Sequence, residues 1–415
     1  MEKSPEELYL ERVKRVQDAV ELREPDRVPF LPHFSFFAAR YAGMNCKELM
    51  YDYDKLEEAH MKVVLDFQPD MYGNPYPLIA LGSLMDVLGA EAFQWPGGGL
   101  DPDLPYQYVE KEYMKEEEYD DFLFDPTDFM LRIFLPRIYG SLKPLQDLPY
   151  LPSVYYTRFL SATAALGRPG IVEALEALSR AGESAQEMVG RAAAYTRKMK
   201  ELGFPSQFGA TAYAPFDYIG DLLRGTRGIM LDIFRVPDKL MEALEKTVPI
   251  VTRGAVTAAR TTGVSAVFMP LHKGIDSFMS SDQFKTFYWP TLKKVILNLI
   301  EQDLTPCVFF EGDCTSRLEI IADIPKGKAI YQFEASDIFK AKEILGDRVC
   351  IRGNVPSALL CAGSPVNVQA YCRLLIDKVG KGGGFIMDGG AGIPEEARLE
   401  NVKAMAETTR VYGVY

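Results

Sequence analysis

The chain contains no CxxC pair, and its six cysteines (Cys46, Cys307, Cys314, Cys350, Cys361 and Cys372) form no ladder of the kind that staples small secreted domains. They read as reduced thiols, which points to a cytoplasmic protein. No run of eighteen apolar residues occurs, and the opening MEKSPEELYLERV is charged throughout, so neither a membrane span nor a signal peptide is expected. Basic residues form no stripe, with 46 Lys and Arg against 58 Asp and Glu, a net charge of −12. That balance excludes nucleic acid and anionic membrane as expected partners. GxxxxGK[ST], GxSxG, HExxH and a GxGxxG placed after a strand are all missing, which removes the P-loop, serine-hydrolase, zincin and dinucleotide readings. The glycine-rich stretches GGGL (97–100) and GKGGGF (380–385) read as turns, the second because it precedes a strand rather than following one.

What is present is an alternation. Short apolar runs that stop at a small or polar residue are followed by helical patterns, the signature of parallel strands with crossover helices. Eight such runs stand out: Val28–Phe34, Met71–Pro75, Gln207–Ala214, Ala266–His272, Cys307–Glu311, Ala329–Glu334, Val349–Asn354 and Gly384–Asp388. Eight units suggest an α/β fold closed as a (β/α)8 TIM barrel, and 415 residues are within reach of a single barrel domain. Residues 1–25 read as an N-terminal helical extension and 26–415 as the barrel. An insertion over about 93–206 consists of a hairpin (93–113) and a mostly helical stretch broken at Pro126, Pro136, Pro144, Pro149 and Pro152. It is expected to lie over the barrel mouth.

In such barrels the active site gathers at the C-terminal ends of the strands. The polar residues expected there are His33, Asn74, His272, Glu311, Asp313, Cys314, Glu334, Asn354 and Asp388. Any one of them could simply cap the next helix or line a wall. Glu311 and Glu334 carry more weight, because each ends a strongly apolar strand where an unpaired carboxylate is costly. Glu311, Glu334, Asp388 and Asn354 are therefore the catalytic candidates. Glu311 and His272 are the candidate metal ligands, with zinc as the metal, since mixed N and O donors suit it. His60, on EEAHMKVV, reads as structural. Tyr72, Tyr213 and His33, with Asn74, form the candidate substrate-binding wall, part of an aromatic lining suited to a flat ring.

Several segments carry a resemblance: EPDRVPFLPHFSFFAARY, EGDCTSRLEII, KGKAIYQFE and the tail from GNVPSALL to VYG. Together they resemble the uroporphyrinogen decarboxylase-like superfamily over nearly the whole chain from about residue 22. True decarboxylases of that superfamily share an RQAGRY-type first loop and an Asp in the second-strand loop. Here the first loop is SFFAARY, in which only Arg40 matches, so the resemblance makes Arg40 a substrate-binding candidate. The second-strand loop is YGNPYP, with no Asp. A highly carboxylated substrate needs several fixed arginines, and their absence argues against that reaction.

The other branch is the corrinoid-dependent methyltransferases. Its thiol-methylating members bind zinc through His-x-Cys and a later Cys. The matching positions here are Phe309, Glu311 and Ala391 or Gly390, so that thiolate set is missing. The resemblance then implies an O-demethylase-like enzyme. It would move a methyl group from a small methylated compound, first of all an aryl methyl ether, to cobalamin carried by a partner corrinoid protein. The alternatives are a decarboxylase or lyase acting on a smaller substrate, which would need pocket arginines, and a non-catalytic partner of a corrinoid protein. Oligomerisation is compatible with either.

Overall fold

Each barrel strand must be apolar on both faces, because one faces the interior and the other the surrounding helices. In the computed structural model, which describes residues 3–153 and 155–415, the strands obey this apart from the buried Gln332 and Arg352. Counting the hairpin strands Phe93–Gln94 (β1) and Gln107–Tyr108 (β2) first, the parallel sheet runs in sequence order through β3 (Ala210–Thr211), β4 (Ala266–Leu271), β5 (Thr305–Phe310), β6 (Ile330–Phe333), β7 (Cys350–Arg352) and β8 (Phe385–Ile386). Phe268 registers with Cys307, Cys307 with Ile330, and Ile330 with Cys350. In β4 the outward side chains Val267, Met269 and Leu271 are fully covered, while Ala266, Phe268 and Pro270 face a less tightly filled interior.

The remaining two positions of the ring are held by single bridges. Phe30 pairs with Met387 and Tyr72 with Ser206, both parallel. Asp70 N–H donates to Phe30 O at 2.9 Å, and Leu31 N–H to Met387 O at 3.0 Å, so main-chain bonds run from β8 through 29–31 and 70–72 back to β3. The expected strands Val28–Phe34 and Met71–Pro75 are thus much shorter than their apolar runs. Pro29, Pro32 and Pro75 have no N–H to give a ladder.

The N-terminal helix Pro5–Val20 is capped by Ser4 and Glu7 bonding reciprocally across its first turn. It is more than an appendage. Val16 and Ala19 pack with Leu31, Cys307, Ile330, Cys350 and Ile386, closing the bottom of the barrel. A cavity of about 380 Å³ remains between this helix and the lower strands, at the end of the barrel away from the strand C-termini. Arg15 Nη1 reaches the fully buried Asp70 at 2.6 Å, and Arg27 Nη2 reaches it at 2.7 Å. Asp70→Ala leaves two guanidinium groups without their shared anion. We expect a loss of about 3 kcal/mol in urea unfolding, at the low end for a broken buried pair because Arg27 partly faces water. An unchanged midpoint would show the pairing to be idle.

The long helix Pro169–Glu201 brings the chain back to β3 and so serves as the second crossover. The added material therefore ends nearer residue 168 than 206. Tyr195 of this helix meets Tyr72 edge-on at 5.8 Å, and its hydroxyl lies 2.8 Å from His60 Nδ1. Asn74 Nδ2 donates to Thr196 Oγ1 at 3.1 Å. Tyr72 and Asn74 thus join the second strand to its crossover helix, and Asn74 also lines a small cavity with His33 and His60. His60 is structural, as its helix position suggests. Among the described residues, no helix is long and apolar enough to cross a membrane.

Candidate active site

Strand β4 ends at Leu271, and the next two residues turn at the mouth of the barrel. His272 N–H and Lys273 N–H each donate to Asp217 at 3.0 Å, so the carboxylate of the preceding unit anchors this turn. Asp217 and Asp221 lie four residues apart in the helical segment after β3, which puts both on one face. Asp217 is fully buried and also accepts from Tyr288 Oη at 2.5 Å. Burial and the neighbouring Asp221 push its pKa up to about 6, against the pull of His272 and Tyr288.

Asp221 is the hub. Its Oδ2 lies 2.5 Å from His272 Nδ1, and its Oδ1 accepts from Lys273 Nζ. On the other side of the ring, His272 Nε2 is 3.3 Å from Glu311 Oε1. Burial works against charge on His272, but the hydrogen bonds to Asp221 and Glu311 more than reverse it, and its pKa rises to about 10. Burial likewise opposes ionisation of Asp221, and the bond from His272 with the charge of Lys273 holds its pKa below the ordinary value. At neutral pH His272 is thus an imidazolium set between Asp221 and Glu311. The side chains of His272 and Glu311 are each nearly two-fifths exposed, so the cluster opens to solvent.

Asp217, Asp221 and His272 offer donor atoms within 4.8 Å of one another, the spacing of a metal site. Their chemistry does not fit zinc. Asp217 and Asp221 accept from protein donors through both oxygens, and Lys273 sits among them. Glu334, the next carboxylate along the mouth, accepts from Gly312 N–H at 2.7 Å.

The sequence-expected residues fall into three groups. Glu311 and His272 come together, and Glu334 sits beside them through the Gly312 turn. Asn354 links the loops after β6 and β7, donating to Ser336 O and accepting from Tyr371 Oη, both at 3.1 Å. Tyr213 is exposed, and the charge of Asp221 helps push its pKa up after burial does. His33 is half-buried, and burial with the nearby Arg352 lowers its pKa to about 4, leaving it neutral. Asp388 is elsewhere. It is fully buried and gripped by Arg352, whose Nη2 and Nε lie at 2.7 and 2.9 Å. Arg352 also donates to Leu31 O. This is an ion pair inside the barrel, and it corrects the expectation of a catalytic Asp388. Arg40 is exposed on the short helix Phe37–Ala42 and makes no ion pair among the described residues. Cys314 is buried, and burial followed by Asp276 pushes its pKa up to about 12.

Asp217, Asp221, Lys273 and Tyr288 were not among the expected site residues. The signal was the pair of acids spaced four apart in PFDYIGD, directly after a strand end. The insertion completes this wall: Tyr108 Oη donates to Asp221 O at 2.7 Å, and Glu110 lies 3.9 Å from Lys273 Nζ.

The fold and the sequence both have known counterparts. A methyltransferase from Methanosarcina mazei aligns over 96% of this chain and 98% of its own, with a TM-score of 0.63 at 16% identity, which establishes a common fold. Among sequences, the uroporphyrinogen decarboxylase of Chlorobium phaeovibrioides is 28% identical over 179 residues, 42% of this chain and 50% of that one. The enzyme of Chlorobium luteolum is 30% identical over 135 residues, 32% of this chain and 38% of that one. The chain thus matches about half the length of these relatives or less. The uroporphyrinogen decarboxylase (URO-D) family model matches residues 164–412, more than half of the chain and all of the barrel from the second crossover onward; the chain belongs to that family.

Proposed function

We propose that the protein is a methyltransferase that takes a methyl group from a small methylated substrate, first of all an aryl methyl ether, and passes it to cobalamin on a separate corrinoid protein. The observation that carries this reading is His272 held between Asp221 and Glu311 at the partly exposed mouth of the barrel. The full-length structural likeness to a methyltransferase agrees with it.

An ether oxygen leaves poorly unless it receives a proton or a Lewis acid. A reduced corrinoid would supply the nucleophile for the methyl carbon, which would leave the electron pair of the C–O bond on oxygen. This chain supplies the proton, from His272 Nε2–H. Asp221 keeps the ring oriented and Lys273 keeps Asp221 ionised. Glu311, partly exposed, faces Nε2–H at 3.3 Å in the resting state and gives way to the substrate oxygen. Tyr213, at the same rim, offers a ring face to an aromatic substrate. Decarboxylation of a polycarboxylate is less well served, since Arg352 is bound to Asp388 and Arg40 is on the surface.

The test mixes the protein with a reduced corrinoid protein and a panel of methoxybenzoates and methylamines. The corrinoid spectrum should change from the reduced to the methylated form with a methoxyarene. No change with any donor, or robust decarboxylation of uroporphyrinogen, overturns the reading.

Two further results are expected. Activity should survive dialysis against a chelator, because the proton comes from His272; loss of activity restored by zinc would return the role to a metal. Glu311→Gln removes one of the charges that raise His272, so the alkaline limb of the rate profile should move down by about one pH unit, a change of about 1.4 kcal/mol in the proton's binding. A Glu311→Gln enzyme with the parent's profile would detach Glu311 from the site.

A further inference from the structure

Tyr288 has no part in the chemistry described so far. It ends the helical segment Phe284–Tyr288 and is fully buried, so no substrate can reach it. A buried tyrosine hands its hydroxyl to a fixed partner. Here the partner is Asp217, whose Oδ2 lies 2.5 Å from Oη. The ring behind that hydroxyl is itself held. Phe284 stacks on it at 5.2 Å, and Phe216 lies against it at 5.6 Å. Gly274 closes another approach, since a Cβ there would come within 2.8 Å of Tyr288 Cε1 and 2.9 Å of Cζ. Gly274 directly follows Lys273, so the turn after β4 rests on this ring with no room for a side chain between them. Burial, then the charge of Asp217, holds the Tyr288 hydroxyl well above its ordinary pKa, and it stays a donor.

Asp217 has no exposed surface and takes its hydrogen bonds from protein. Its Oδ1 accepts from Lys273 N–H and its Oδ2 from His272 N–H, each at 3.0 Å. Two consecutive main-chain donors on the two oxygens of one carboxylate tie the turn to the carboxylate plane. Rotation of that plane would break both bonds, and the third bond, from Tyr288, opposes the rotation. The side chains of the same two residues run to Asp221, one helical turn further on. His272 Nδ1 lies 2.5 Å from it, and Lys273 Nζ donates to it. Gly220 leaves the path open, because a Cβ there would meet Lys273 Cδ and Cε at 2.9 Å. Asp217 thus grips the backbone of the turn, and Asp221 grips its side chains.

We propose that Tyr288 is a positioning residue for His272: by pinning Asp217 it fixes the His272–Lys273 turn, and with it the direction in which His272 Nε2 meets the substrate oxygen. The proposal rests on the reading of His272 as the proton donor, but its effect on His272 is visible without turnover. Proton transfer needs hydrogen-bond contact, and a misplacement of about 1 Å can cost about 10²-fold in rate. Loss of a contact that only binds substrate would raise KM instead.

Tyr288→Phe keeps the ring and its packing and removes the hydroxyl. The chain has 3 histidines, His33, His60 and His272, so a histidine-labelled sample gives a ring spectrum in which each can be followed. The short contact with Asp221 should place the His272 Nδ1 proton at low field, and its absence from His272→Gln assigns it. In Tyr288→Phe that resonance should move upfield and exchange faster with water, while the His33 and His60 signals stay in place. In the methyl-transfer assay, kcat should fall by about 10–100-fold, with KM for the methyl donor held within about twofold. Asp217→Asn should show the same pattern, and it takes the place of Tyr288→Phe if that variant fails to fold. In the Asp217→Asn background, Tyr288→Phe should add nothing further. The proposal is overturned if the His272 resonance is unmoved, or if all the histidines shift together, as a general loosening of the fold would make them. It is also overturned if kcat is unchanged, if KM alone rises, or if the two substitutions are additive. If the parent turns over no methyl donor, the methyl-transfer reading fails by itself, and the His272 spectrum still decides for or against the positioning.

Discussion

His272→Gln is expected to lower methyl transfer from an aryl methyl ether by about 10²–10⁴-fold, the usual contribution of a placed general acid. Glutamine keeps a hydrogen-bond donor near the substrate oxygen but has no proton to release. The loss should therefore depend on the leaving group. A methoxyarene with an electron-poor ring expels a stable phenolate and should lose least, and an unactivated one most. A uniform loss across that series would mean that His272 only positions the substrate. The pH profile gives a second sign. The folded pKa of His272 is raised to about 10 by Asp221 and Glu311 against burial, so the imidazolium persists through neutral pH and is lost as pH rises through 10. The rate should fall on that alkaline side. The same shift makes the charged ring a source of stability that is fully present below its ordinary pKa of 6.5 and disappears above 10. A rate that rises through pH 7 and holds to pH 11 would require a neutral histidine and remove the acid role.

Arg352→Leu is expected to destabilise the fold by about 3–5 kcal/mol, the range for removing one partner of a buried pair. Asp388 would remain at zero exposure with its charge uncompensated, and Leu31 O would lose its donor. Burial already pushes the Asp388 pKa up, with Arg352 working in the opposite sense. Without Arg352 the carboxyl should bind a proton near neutral pH. Urea unfolding of Arg352→Leu, Asp388→Leu and the double variant separates these effects. The double variant should lose less than the sum of the two single variants, because it leaves neither charge behind. Simple additivity would mean that the two side chains contribute independently. Asp388→Asn should lower stability far more than turnover, which also distinguishes a barrel-core ion pair from a catalytic carboxylate.

Much of the barrel was legible because its strands are buried on both faces. CVFF is a continuous apolar run, and IYQF and CIR are interrupted only by the buried Gln332 and Arg352; such runs ending in a polar residue are easy to read. The first two strands were overextended because an apolar run does not reveal which N–H groups are available, and prolines remove several of them. The site was half legible. Glu311 and His272 follow strand ends, and the rule that barrels react at those ends finds them. Asp388 obeys the same rule and is nonetheless structural. Its neighbour Arg352 points into the barrel, and two opposite charges buried side by side pair with each other. A residue just past a strand can face the mouth or the crossover helix, and for Tyr72 and Asn74 only the packing of Tyr195 and Thr196 shows the contact with the helix.

By itself, the sequence determined the repeating strand–helix pattern, the family resemblance, and the loss of the thiolate and arginine sets from the matching positions. Those are local properties of residue type and spacing. Only the tertiary structure decided which charges meet. Asp217 and Asp221 lie more than fifty residues before His272 and Lys273, and Glu311 a further 39 residues on, so their coupling exists only once adjacent strands are in register. Electrostatic interaction falls with distance in space, not along the chain. The pKa of His272, and with it the proposed chemistry, is therefore a property of the closed barrel.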